Sequence, residues 1–263
     1  MPASIYFDGA ASELGYLPFG DGANGTYVAP PPPQSLPVVR GSTYLDPGSQ
    51  LLLNTSFFNY GSDWTISGFV RPHIDNDEYQ PFITIGSNSA MSSDSIEFDL
   101  AELGDTSLQF AIASNNPSTL EARYADLTPM LVPTGVWHFF AVEKTGTTLT
   151  GYLARCDSIA AIRASNPLAG VWNGTANELR IGNTPFGPQY YPRLGLQNLK
   201  LHQSLLTLDQ LEMERRSIRP RLWSTIYAWW PLRDVANIGL DASGNGHPLA
   251  LTGGARGMTP APV

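Results

Sequence analysis

Apolar and polar positions alternate along this chain in short runs of period two, interrupted every few residues by Gly, Pro, Asn or Asp. The densest run predicts a β-hairpin over residues 134–153. Val136 to Val142 is β-branched and aromatic, Lys144-Thr145-Gly146-Thr147 supplies the turn, and Leu149 to Leu153 returns. On the outgoing strand Trp137, Phe139 and Ala141 fall on one face, and Val136, His138, Phe140 and Val142 on the other. Apolar residues on both faces predict a central strand covered on both sides. The return strand alternates more cleanly, with Leu149, Gly151 and Leu153 against Thr148, Thr150 and Tyr152.

The same pattern predicts further strands at residues 4–8, 38–45, 64–70, 81–85, 96–100, 108–113, 120–124, 179–182 and 195–202. In the 96–100 strand Ile96, Phe98 and Leu100 share one face, and Glu97 and Asp99 the other. One helix is predicted over residues 207–218. Thr207-Leu208-Asp209-Gln210 has capping-box spacing, Asp209, Glu212 and Glu214 lie early, and Arg215, Arg216 and Arg219 lie late, ahead of Pro220. Leu208, Leu211 and Ile218 are its expected buried stripe. Residues 227–254 read as strand, Gly-rich turn and strand. Leaving Trp229, Trp230, Leu232, Leu249 and Leu251 in water would forfeit roughly 1.5–3 kcal/mol per side chain. This segment is therefore expected to close the sandwich in its own chain, where it could return beside Ile5-Tyr6-Phe7; the alternative is an arm that reaches a second subunit.

Composition narrows the class. With 22 prolines and 25 glycines in 263 residues, many short strands joined by turns fit better than helices. The whole of 1–263 is expected to be one domain, with 1–37 a connector stiffened by Pro30 to Pro33 and 227–263 adding strands. The net charge of −8 disfavours a phosphate backbone as partner, so no nucleic acid is expected. No apolar run approaches the roughly 18 residues of a membrane span. Residues 1–9 carry neither a basic nor an apolar leader pattern, so the sequence predicts no signal peptide. Charged residues are only 14%, against about 25% in an average domain, which suits protein contacts or neutral ligands.

Four features carry a resemblance. They are Phe7-Asp8-Gly9; Trp64 to Val70 followed by Arg71-Pro72; Gly135-Val136-Trp137-His138-Phe139 leading the hairpin; and Leu179-Arg180-Ile181-Gly182 followed by Leu199-Lys200-Leu201 and the short helix. Their order and spacing resemble the laminin G-like branch of the concanavalin A-like lectin/glucanase superfamily, with the match covering roughly residues 38–220. The resemblance implies an all-β, two-sheet antiparallel jelly-roll sandwich. The C-terminal segment is similar to that of structural proteins of tailed phages. That implies a non-catalytic virion protein, a capsid decoration or tail component at the particle surface. Its partners would be other virion proteins or copies of itself, and surface glycans. A carbohydrate-binding module and a retaining glycoside hydrolase are the competing classes.

Three clusters are candidates for chemistry. Glu97-Phe98-Asp99-Leu100-Ala101-Glu102 fits the E-x-D-x-x-E spacing of glucanases in the superfamily. The resemblance would make Glu97 the nucleophile, Asp99 its helper and Glu102 the acid/base, and retention needs the outer pair roughly 5 Å apart. Glu102 lies five positions from Glu97, hence on the other face unless a bulge falls at Leu100-Ala101. The alternative is a plain hairpin strand with solvated carboxylates. Asp75, Asp77 and Glu78 cluster hard oxygen ligands that could hold calcium, or form a solvated turn; no other cofactor is implied. Phe186, Tyr190 and Tyr191 lie in a loop able to stack on sugar rings or to bury against a neighbour. Asp241 to Gly246 reads as a turn held by its own side chains.

Overall fold

The computed structural model describes residues 5–6, 16–17, 42–45, 49–54, 61–72, 80–86, 95–102, 108–116, 121–124, 132–133, 135–158, 160–171, 178–182, 194–253 and 255–258. The chain divides into two units, 1–38 and 39–263. In the first, β1 (Ile5–Tyr6) pairs antiparallel with β2 (Tyr16–Leu17).

The second unit begins with β3 (Ser42–Leu45), β4 (Gln50–Asn54), β5 (Trp64–Pro72), β6 (Gln80–Gly86), β7 (Ser95–Glu102), β8 (Leu108–Asn116) and β9 (Glu121–Tyr124). It continues with β10 (His138–Thr145), β11 (Thr148–Arg155), β12 (Arg163–Ala164), β13 (Leu168–Ala169), β14 (Glu178–Gly182) and β15 (Leu194–His202). Helix α1 (Leu208–Arg215) follows, then β16 (Ile226–Trp230), β17 (Ala250–Thr252) and β18 (Ala255–Met258). One sheet runs β12-β11-β10-β5-β15-β3-β18, with β13 also on β11 and β16 also on β15. The other runs β17-β4-β14-β6-β7-β8-β9. Pairing within each is antiparallel, and the fold is the two-sheet jelly-roll sandwich that the sequence predicts.

The sheets meet through large side chains. Phe82 of β6 meets Phe140 of β10 edge-on, with centroids 5.4 Å apart. Gly68 lies opposite Phe140 on β5; a Cβ there would sit 3.2 Å from the ring and 3.3 Å from the Gln197 carbonyl. Strand β10 is central and covered on both faces, as its sequence predicts. Phe140 and Val142 enter the core between the sheets. Phe139 and Ala141 join a second cluster with Phe69, Leu206 and Leu211 on the outer face of the first sheet.

That outer face is covered by residues 203–225, which include α1. Both capping-box bonds form: Gln210 N–H donates to Thr207 Oγ1 and Thr207 N–H to Gln210 Oε1. The expected stripe is not what seats the helix. Leu211 is buried, but Leu208 is 56% exposed and Ile218 half-buried. The helix ends at Arg215, so Ile218 lies beyond it, and polar groups do most of the fastening. Lys200 Nζ donates to Glu214 Oε2 at 2.5 Å and to the Ser217 carbonyl at 2.9 Å. Glu214 Oε1 accepts the backbone N–H groups of Arg221 and Leu222. Thr65 Oγ1 donates to the Ser204 carbonyl, and Glu143 accepts from Leu206 N–H and the Tyr152 hydroxyl. Arg215 donates to the carbonyls of Arg155, Ser158 and Ala160, drawing that loop under the helix.

The C-terminal segment pairs inside the second unit. Strand β16 lies along the latter half of β15, β17 along β4, and β18 along β3. The outer edge of β16 is closed by its own turn. Asp241 Oδ1 accepts Trp229 N–H, Ala242 N–H donates to the Trp229 carbonyl, and Asn245 Nδ2 donates to the carbonyls of Ile226 and Tyr227. Those groups would otherwise offer an open edge for strand addition. The turn is also held internally, with Ser243 N–H and His247 N–H donating to Asp241.

Two stability outcomes follow from this packing. Lys200→Met leaves Glu214 buried without its cation, and should cost about 3–5 kcal/mol in urea unfolding. A loss below about 1 kcal/mol would show that the pair does not hold the helix. The second concerns His138 and His202, both buried, with each Nε2 unpartnered among the described residues. Burial lowers both rings from 6.5 to about 4. The folded state thus prefers the neutral ring, and this contribution, full above pH 6.5, is lost as pH falls towards 4. Glu143, raised by burial, shifts stability in the opposite sense, losing its contribution as pH rises. Comparing melting curves of wild type and His202→Gln from pH 7.5 to 4.5 isolates the ring: the variant should lose less on acidification.

Candidate functional site

The outward face of the second sheet carries a polar group of residues at its centre. In β7, Ile96, Phe98 and Leu100 enter the core, which turns Ser95, Glu97 and Asp99 outward. Cross-strand register sets Arg180 of β14, Thr84 of β6 and Glu97 in one row, and Glu178, Gly86 and Ser95 in the next. Ser95 Oγ donates to Glu97 Oε1 at 2.8 Å. Arg180 donates through Nε and Nη2 to Glu178 Oε2, at 2.9 and 2.7 Å.

Residues on an outward strand face normally meet water. Here Glu97 is 1% exposed and Asp99 0%. Thr84, Ser95 and Glu178 are also buried. The reading of a plain hairpin strand with solvated carboxylates therefore does not hold. Burying carboxylates is costly unless donors are placed for them, and the Ser95 hydroxyl is one such donor.

The register also bears on the E-x-D-x-x-E pattern. Pairing of β7 with β8 runs unbroken from Ser95↔Asn115 to Glu102↔Leu108, with no bulge at Leu100-Ala101. Positions 97 and 102 are an odd number of residues apart and take opposite faces of the strand. Positions 97 and 99 share a face about 7 Å apart along it. The bulge falls instead in β6 between Pro81 and Ile83, where Phe82 turns into the core against Phe98.

Phe186, Tyr190 and Tyr191 lie outside the described residues, as do Asp75, Asp77 and Glu78. Among the described residues no group of three or more His, Cys, Asp or Glu is placed to hold a metal ion. The Asp241 carboxylate is occupied by three backbone N–H groups. No described helix is long and apolar enough to cross a membrane. Glu178, Arg180, Thr84 and Ser95 were not singled out by sequence reasoning. The alternation of Glu178-Leu179-Arg180-Ile181 marked an outward face, but only register brings it beside Glu97.

Neither a family model nor a curated protein matches the chain in sequence. Solved structures do match in fold. The native heptameric SAP-like pentraxin from Limulus polyphemus aligns at 13% identity and a TM-score of 0.54, over 85% of this chain and 96% of that one. The enzymatically active domain of bacteriophage CBA120 tailspike protein 2 aligns at 14% identity and a TM-score of 0.57, over 76% of this chain and 31% of that one. A full-length tailspike protein 2 from an Escherichia coli O157:H7 bacteriophage gives 16% identity and a TM-score of 0.58, over 76% of this chain and 28% of that one. The chain thus spans about a third of the tailspike chains that it matches.

Burial pushes the thiol of the half-buried Cys156 up to about 12, which disfavours its reactive thiolate form. Ellman's reagent at pH 8 should label it slowly when native and fully within minutes in denaturant. Prompt labelling of native protein would show that its surroundings do not hold the thiol protonated.

Proposed function

We propose that this concanavalin A-like jelly roll is a non-catalytic structural or attachment module of a virion, turned towards other virion proteins, copies of itself and surface glycans. The observation that carries the reading is the fold match to the phage tailspike domain over three quarters of the chain. The site supports the non-catalytic part. The two carboxylates of β7 that share a face are sealed from water, and β7 has no bulge that would bring position 102 round to join position 97. Retaining hydrolysis needs its two carboxylates to flank one bond. The capped edge of β16 favours contacts through loops and faces over strand addition at that edge.

A second reading, a glycoside hydrolase, is favoured by the acidic pair itself and by the likeness in fold to a tailspike domain that is enzymatically active. Calcium at Asp75, Asp77 and Glu78, and sugar stacking on Phe186, Tyr190 and Tyr191, belong to the carbohydrate-binding form of the proposal.

Incubation with bacterial surface polysaccharides should release no reducing ends, and antibody against the chain should decorate intact particles. Turnover abolished by Glu97→Gln would replace this reading with the hydrolase. For the carbohydrate-binding form, Tyr190→Ala and Tyr191→Ala should each weaken glycan retention at least about tenfold.

A further inference from the structure

Beyond α1 the chain forms a ledge on the outer side of residues 203–225. From Arg219 to Trp223 burial alternates: Arg219, Arg221 and Trp223 are exposed, Pro220 is buried and Leu222 half-buried. The three exposed side chains arise within five residues, a span of at most about 14 Å.

The ledge is fixed from beneath. Glu214 Oε1 accepts from Arg221 N–H at 2.7 Å and Leu222 N–H at 3.1 Å. Ser217 Oγ donates to the Arg219 carbonyl, and Thr225 returns two donors to the Leu222 carbonyl. Trp223 is 49% exposed, yet its ring stands edge-on to the buried Trp229, with centroids 6.0 Å apart and planes at 83°. A large aromatic surface is therefore held in water on a rigid support, with little ordering left to cost on binding.

Charge gives the ledge its sign. Arg155 pairs with Asp157 and Arg216 with Glu212. Arg219 and Arg221 take part in no ion pair among the described residues. Arg221 also approaches buried Lys200 closely enough to add, after burial itself, to the lowering of that ammonium. Two exposed arginines without an ion pair among the described residues, close in sequence to an open indole, form a cationic spot on a chain of net charge −8. Guanidinium recognises carboxylate or phosphate through paired N–H donors, and the indole face takes an apolar ring face. A long polyanion such as nucleic acid would meet repulsion from a chain of net charge −8.

We infer that Arg219, Arg221 and Trp223 form a binding site for a short anionic saccharide, its acid group on the arginines and a sugar ring on the indole. This rests on the glycan-facing part of the function proposed above and gives that ligand a charge and a location.

The test uses the full chain in calorimetric titrations with polygalacturonate, a phosphomannan and neutral dextran at low and high salt. Binding of either acidic polymer, weakened by salt and at least about tenfold by Trp223→Ala and by the Arg219→Gln, Arg221→Gln double variant, is the expected result. The two acidic probes distinguish carboxylate from phosphate. Arg163→Gln, an exposed arginine of β12, should leave binding unchanged, and near-ultraviolet circular dichroism checks that Trp223→Ala keeps the fold. Acidic-glycan binding insensitive to all ledge variants would overturn the site and leave the glycan-facing reading standing. Binding of dextran alone, or of no polymer, would overturn the site, and the latter would also remove the glycan-facing reading.

Discussion

The buried pair between Lys200 and Glu214 is the contact on which the rest of the outer layer depends. It is an expensive element, because both charges are withdrawn from water. The cost is offset by saturation: Lys200 reaches a carboxylate oxygen and two carbonyls, and Glu214 reaches an ammonium and two backbone N–H groups. One ion pair thereby ties a central strand to the helix and the helix to the segment that follows. A helix of eight residues has little stability of its own, so its place is set by these contacts.

Closure of the sandwich uses a related device. Strand β15 changes partner along its length, from β3 at Leu196 to β16 at Leu199. The change is made at Asn198, in the left-handed region at φ 49°, whose N–H donates to the Pro231 carbonyl. Asn tolerates that conformation better than most residues. Leu232, just beyond, also has positive φ, at 55°. Two backbone irregularities together let one long strand serve two partners, and side chains of the 241–247 turn close the edge that remains.

The two sheets differ in how they treat their outer faces. The first buries its outer face under residues 203–225, whose own outer side presents Arg219, Arg221 and Trp223. The second carries buried polar residues from three adjacent strands, Glu178, Thr84, Ser95, Glu97 and Asp99. In the function proposed above, the fixed ledge is the binding surface and the sealed carboxylates take no part in turnover.

Local pattern determined a great deal. Alternation in residues 136–153 gave the hairpin, and its two-sided apolar content gave the central position of β10. Thr207 and Gln210 gave the helix start, and the apolar content of 227–232 gave another strand. These properties depend on backbone period and on neighbours a few residues away, so they are written in the sequence itself. Tertiary structure alone decided the rest. Lys200 and Glu214 resemble surface charges until the fold sets them face to face, and Leu208 resembles a core residue until the helix is seated through polar groups. Glu97 and Asp99 look solvated until neighbouring strands and burial are known. The unbroken register of β7 through Leu100-Ala101 decides which of its carboxylates share a face. Register and burial are relations between segments far apart in the chain, and no period within one segment carries them.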